Sequence, residues 1–124
     1  MSVGKDGFRM LKVWQKGKNL AVMIYGVTNT GQFQKDFGLR EQIRRAAVSI
    51  PSNIAEGDER DTDRDAVRCF FIAKGSVAEV LTQAIIALEI GYLDSATFAT
   101  IENECLEISK MLARLITART KTFS

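Results

Sequence analysis

Apolar residues in this chain recur at intervals of three and four in four separate blocks, and nowhere alternate two by two for long. That spacing gathers side chains on one face of an α-helix, whereas a half-buried strand needs period two. Val13, Gly17, Leu20, Ile24 and Val27 lead the first block, with Trp14, Ala21 and Tyr25 widening its face. Leu39, Ile43, Ala46, Ala47, Ile50 and Ile54 make the second. The third and longest runs from Ala66 through Phe70, Ala73, Val77, Val80, Ala84 and Ala87 to Gly91, and the fourth from Phe98 through Ile101, Cys105, Ile108 and Leu112 to Leu115. Polar punctuation separates the blocks. "TNTGQFQKD" reads as a turn, Asp36 as the N-cap of the second helix and Gly57 as its stop. Thr62 with Asp65 resembles a capping box, and Asp94 or Ser95 caps the last helix. The pattern predicts one all-α domain over residues 1–124, with helices at about 11–29, 37–56, 63–90 and 95–119. Short loops set consecutive helices antiparallel, and sustained three-four spacing favours shallow crossings. The expected architecture is an up-down-up-down four-helix bundle.

Two of these helices carry more apolar surface than a bundle of four requires. Beside its main arc the second has Val48, Pro51 and Ala55, headed by Arg44; off its main seam the third has Val67, Phe71, Ala78 and Ile85. A helix in a small monomeric bundle needs one buried stripe. Extra strips predict a second buried contact, and self-association is its simplest source.

The stretch "QIRRAAVSIPSNIAEG", Gln42 to Gly57, combines a helical pattern with the chain's one proline. Arg45, Ser49, Ser52 and Glu56 step by four, three and four along one face, with Asn53 at the margin of the core. As a nucleophile Ser49 would need a base beside it, and an arginine cannot serve. The chain has no histidine, which removes the commonest general base and metal ligand. No catalytic residue, metal site or cofactor site is therefore read from the sequence. The structural reading is a satisfied network: Arg44 or Arg45 pairs with a carboxylate such as Glu79, and Ser49, Asn53 and Ser76 complete the hydrogen bonds. Pro51 lacks an N–H, leaves the Ala47 carbonyl without its helical donor and predicts a kink. Small residues around it would let a neighbouring helix, or a second subunit, approach closely.

Composition changes this picture little, and charge placement changes it more. Hydrophobic residues are 46% and charged residues 26% of 124, with a net charge of +2. The balance is +6 over residues 1–45, −8 over 46–109 and +4 over 110–124. In the predicted topology Arg9, Lys12, Lys16, Arg114, Arg119 and Lys121 share one end with Glu56, Asp58, Glu59, Asp61, Asp63 and Asp65. The bases would either attract the phosphates of RNA or DNA or pair with those acids. Cys69 and Cys105 fall on apolar stripes and read as reduced core thiols. With no apolar segment of signal-peptide form in "MSVGKDGFRM", the cytoplasm is the expected location. The most apolar run, Cys69 to Ile90, is interrupted by Lys74, Glu79 and Glu89, a poor pattern for a membrane span.

Three stretches resemble the four-helix-bundle proteins called 23S rRNA intervening sequence proteins: "LKVWQKGKNLAVMIY", "QIRRAAVSIPSNIAEG" and "FFIAKGSVAEVLTQAIIALEIGYL". The motif positions Arg44, Arg45, Ser49, Pro51, Ser52, Asn53, Glu56 and Gly57 are present, as are Gly75, Ser76 and Glu79. Members are small bacterial proteins, some encoded within insertions in ribosomal RNA genes, and their biochemical function is not established. The resemblance implies a homopentameric ring of bundles. It also implies kinship with the accessory protein of diversity-generating retroelements, a basic pentamer thought to bind nucleic acid and a reverse transcriptase. After Gly57 the chain reads "DERDTDRD", acidic where many relatives are basic, which weakens the transfer of nucleic-acid binding to this chain. The expected function is thus a non-enzymatic homo-oligomeric scaffold, with sequence-independent RNA or DNA binding as the alternative.

Overall fold

The computed structural model of the protein describes residues 7–123. Every regular element among these residues is helical, and no strand occurs. A 3₁₀ turn, Phe8–Met10, leads into α1 (Lys12–Val27), a short α2 (Gly31–Lys35), α3 (Phe37–Asp58), α4 (Asp63–Glu89) and α5 (Ser95–Thr120). Side-chain caps fix three of the starts. Asp36 accepts from the Leu39 N–H at 3.1 Å, Thr62 from Asp65 at 3.2 Å and Asp94 from Thr97 at 2.7 Å, each satisfying a donor the first turn leaves free. At the end of α4, Gly91 takes a positive φ of 85° and the Tyr92 N–H reaches back to the Ala87 carbonyl at 2.8 Å. This is a Schellman-type stop, which a residue with a Cβ would strain.

Two expectations are corrected. The segment between the first two long helices is not only a turn, because residues 31–35 form α2. Phe33, the one large apolar side chain there, is fully buried, with its ring 5.5 Å from that of Tyr92. Burial of that ring brings the polar segment against the core, and one helical turn satisfies its backbone. Tyr92 donates in turn to the free carboxylate oxygen of Asp36 at 3.0 Å, tying the start of α3 to the residues after α4. The second correction concerns Gly57, which lies inside α3 without a positive φ. Its lack of a side chain serves packing: a Cβ there would sit 2.6 Å from Phe70 Cε1 and 3.1 Å from the Ala66 carbonyl.

These contacts also give the helix directions. The start of α3 meets the end of α4 and the end of α3 meets the start of α4, so the two run antiparallel. Arg119, at the end of α5, reaches Asp63 at the start of α4, so those two are antiparallel as well. Both α3 and α5 pack on α1 and on α4. Between them lies one core that includes Leu20, Ile24, Ile50, Phe70, Ile108 and Leu112, all fully buried. At Gly17, α1 comes close to α3: a Cβ there would lie 3.0 Å from Ile50 Cγ2 and 3.6 Å from the Pro51 nitrogen. The helix runs through Pro51 as one element, and it is the backbone at Pro51 that comes close to α1 of the same chain.

Despite its charges, α4 is long and apolar enough to cross a membrane by length and composition, yet only 33% of its most apolar stretch is buried. One face of α4 is core, made by Ala66, Phe70, Ala73, Val77, Val80, Ala84 and Ala87. Much of the remainder is apolar and exposed.

Candidate functional site

At 100° per residue the exposed side of α4 lies opposite its buried arc. It carries Phe71 at 57% exposure, Ile72 at 51%, Ile85 at 38%, Ile86 at 45% and Ile90 at 52%, with Gly75 and Ala78 exposed among them. Isolated exposed hydrophobes are ordinary on monomers, but five on one helical face are not, although Glu79, Thr82 and Glu89 are exposed on that face as well. Of the strip expected on this helix, Phe71, Ala78 and Ile85 lie at the surface. Val67 does not: it is buried, turned toward the core at the start of the helix.

The strip expected on α3 lies elsewhere. Val48 is exposed and borders a small cavity of about 280 Å³ with Tyr25 and Arg44. Arg44 stacks its guanidinium 4.5 Å from the centre of the Tyr25 ring and donates through Nε to the buried Thr28 hydroxyl at 2.8 Å. With the exposed Val22 of α1 this forms a second patch, on the α1–α3 side of the molecule.

The polar stripe of α3 forms only part of the expected network. Ser76 donates to the Ser49 hydroxyl at 2.8 Å, and Asn53 Nδ2 donates to the Ser49 hydroxyl and carbonyl at 3.0 and 2.9 Å. The arginine–Glu79 pair does not form. Arg44 is turned toward α1, while Arg45 and Glu79 are exposed on opposite walls of a groove between α3 and α4 and have no hydrogen bond or ion pair among the described residues. On a solvated flank neither charge needs a protein partner, and hydration replaces the pair. Ser52 is exposed, and Glu56 pairs at the surface with Arg60 at 2.8 Å.

The predicted basic cluster divides. Lys16 lies 3.0 Å from Glu104 and 3.3 Å from Glu107, and its hydrogen bond to Glu104 holds its pKa above the ordinary 10.5. Arg119 bridges Asp63 at 3.0 Å and Asp58 at 3.5 Å, and its guanidinium also lies 5.6 Å from the centre of the Phe70 ring. Both cations are therefore neutralised within the chain. Arg9 and Lys12 are exposed, and Arg114 and Lys121 flank a shallow depression lined by Ala113, Thr117 and Ala118.

The acid end of this system makes a pH prediction. Thr122 donates to Asp63 Oδ2 at 2.6 Å, and this bond, with that from Arg119, holds the Asp63 carboxyl below its ordinary 3.8. A carboxyl depressed on folding adds stability above its unfolded pKa and loses it as pH falls through the folded value. Asp63→Asn should therefore destabilise the protein at pH 7 and narrow the gap from wild type as pH falls below about 4, read by urea unfolding at each pH. A gap that stays constant with pH would contradict this role.

Both cysteines are free and buried, and burial pushes the Cys105 thiol up to about 12. Such a thiol is unreactive at neutral pH. Among the described residues no three His, Cys, Asp or Glu side chains are grouped to hold a metal ion.

These features define a small all-α protein of long amphipathic helices with polar grooves and an uncovered apolar face. The chain belongs to the 23S rRNA-intervening sequence protein family, whose model matches residues 9–114. It is similar to a solved protein of unknown function from the S23 ribosomal protein family of Bacteroides thetaiotaomicron. Identity is 27% and the TM-score 0.77, covering 84% of this chain and 97% of that one. No curated protein matches it.

Proposed function

We propose that this protein is a non-enzymatic cytoplasmic scaffold, an antiparallel up-down-up-down four-helix bundle that assembles with copies of itself, as a pentameric ring. The observation that carries the reading is the exposed face of α4, from Phe71 to Ile90. An area of that kind on a small protein marks an interaction site. The ring rather than a dimer is supported by a second, different patch at Val22, Tyr25 and Val48. Cyclic rings need two unlike surfaces that meet head to tail, whereas a two-fold dimer needs one self-complementary surface. Carbene footprinting of the purified protein should leave Phe71, Ile72 and Ile86 unlabelled; labelling at the level of a free surface residue would contradict assembly through α4.

A second reading rests on Arg114 and Lys121, which flank an open depression and carry no ion pair among the described residues. They could contact phosphates without reading sequence, with affinity falling steeply as salt rises. Arg114→Glu with Lys121→Glu should abolish low-salt binding of labelled RNA; absence of binding by the wild type removes this reading.

A further inference from the structure

A face that is covered takes its charges out of water, and a carboxylate buried without a cation is strongly destabilising. Between Phe71 and Ile90 the exposed charges of α4 are Glu79 and Glu89, both acids, while Lys74 is half-buried at the margin. Neither acid has an ion pair among the described residues. Whatever covers this face must therefore bring cations to both.

The patch on α1 and α3 offers the opposite charge. Along α1, Lys18, Val22 and Tyr25 follow one another by four and three on one helical face, and all are exposed. On α3, Arg45 is exposed close to Val48 and lines the same small cavity as Tyr25. Lys18 and Arg45 have no ion pair among the described residues, whereas Glu41, at the edge of that cavity, lies 3.4 Å from Arg40. Arg44 is already engaged by Tyr25 and Thr28. When α4 of one copy lies on α1 and α3 of the next, apolar surface meets apolar surface and acids meet bases. Packing of α4 on α4 about a two-fold axis is opposed by the same charges. Glu79 lies near the middle of the face, so such an axis would bring its two copies together.

Resting on the assembly proposed above, we propose that its seam is keyed by charge, with Glu79 and Glu89 of one copy pairing with Lys18 and Arg45 of the next. The apolar residues supply adhesion, and the four charges set which faces meet and in which register. Within one chain Arg45 and Glu79 stand on opposite walls of the α3–α4 groove without pairing, so each is left for a neighbouring copy.

A charge swap tests this, read by sedimentation equilibrium at low salt with circular dichroism for helix content. Glu79→Lys with Glu89→Lys, and separately Lys18→Glu with Arg45→Glu, should each weaken self-association at least about tenfold, because every seam then opposes like charges. The chain carrying all four substitutions regains opposite charges at every seam and should assemble within about threefold of wild type, the coupling expected of residues in contact. All four side chains are exposed, so helix content should stay unchanged throughout. Either pair of substitutions assembling as wild type does would overturn the proposal, and silence of the Lys18 and Arg45 pair alone would point to α4 packed on α4. A chain with all four changes that stays dissociated would overturn it too. Each of these results leaves assembly itself standing, whereas a monomeric wild type would remove both assembly and its key.

Discussion

Gly57→Ala is expected to destabilise the fold by about 2–3 kcal/mol, the upper part of the range of about 1–3 kcal/mol for an overpacked core. Elsewhere in a helix the same change should help, since alanine is the better helix former by about 0.8–1 kcal/mol. Here the new methyl would lie 2.6 and 2.9 Å from two carbons of the Phe70 ring and 3.1 Å from the Ala66 carbonyl. Phe70 is fully buried and has Arg119 against it, so its ring has nowhere to retreat, and the carbonyl belongs to the backbone of α4. The close approach of α3 and α4 at this end would open, and the Arg119 bridge with it. Gly26→Ala is the control. An added methyl there meets nothing within 4 Å, so it should leave stability unchanged or raise it by up to about 1 kcal/mol. Urea midpoints of the two variants should move in opposite directions. A Gly57→Ala protein as stable as wild type would show that the contact yields.

The second large effect concerns assembly. Phe71→Asp combined with Ile86→Asp should dissociate the oligomer while leaving the helix content of each chain intact. Both side chains are exposed in the single chain, so the substitutions disturb no core. About half of each side chain remains to be buried, so in an assembled interface each would be worth about 0.8–1.5 kcal/mol. Their joint loss weakens association more than about tenfold, before the penalty of placing carboxylates against an apolar surface. Circular dichroism and light scattering on the same sample separate the outcomes. Loss of helicity together with mass would mean that this face belongs to the fold of one chain, and unchanged mass would mean that α4 is not the contact.

How far the sequence speaks for itself depends on which force acts at each residue. The long helices were legible because their buried faces repeat at three-four spacing, as in Ile43, Ala46, Ala47, Ile50 and Ile54, all buried. The caps at Asp36, Thr62 and Asp94 were legible because capping is local chemistry between residues three apart. What failed was non-local. Phe33 lies in a segment whose polar residues signal a turn, and only the apposition of Tyr92 explains why it is buried in a helical turn. Gly57 had the position of a helix stop, and nothing nearby in sequence reveals that Phe70 occupies the space of its missing side chain.

The surface residues follow the same division. The side-by-side placement of Ser49 and Asn53 was readable from the helical wheel, and Ser76 from the antiparallel arrangement. Which cations remain free was not, because long side chains choose partners by tertiary geometry. Lys16 found Glu104 and Glu107, Arg119 found Asp58 and Asp63, and Arg44 found Thr28. Pro51 reads as a device for fitting helices closely together, and the helix that comes close at its nitrogen is α1 of the same chain, at Gly17. The apolar strip on α4 was visible as surplus hydrophobicity, and its exposure now gives that surplus a location.

Sedimentation equilibrium of the wild-type protein over a wide dilution range tests this account most directly. The expected mass is five times the 13.8 kDa of one chain, falling only at the lowest concentrations. A single species of 13.8 kDa at every concentration would contradict the account and leave the α4 face to some partner other than itself.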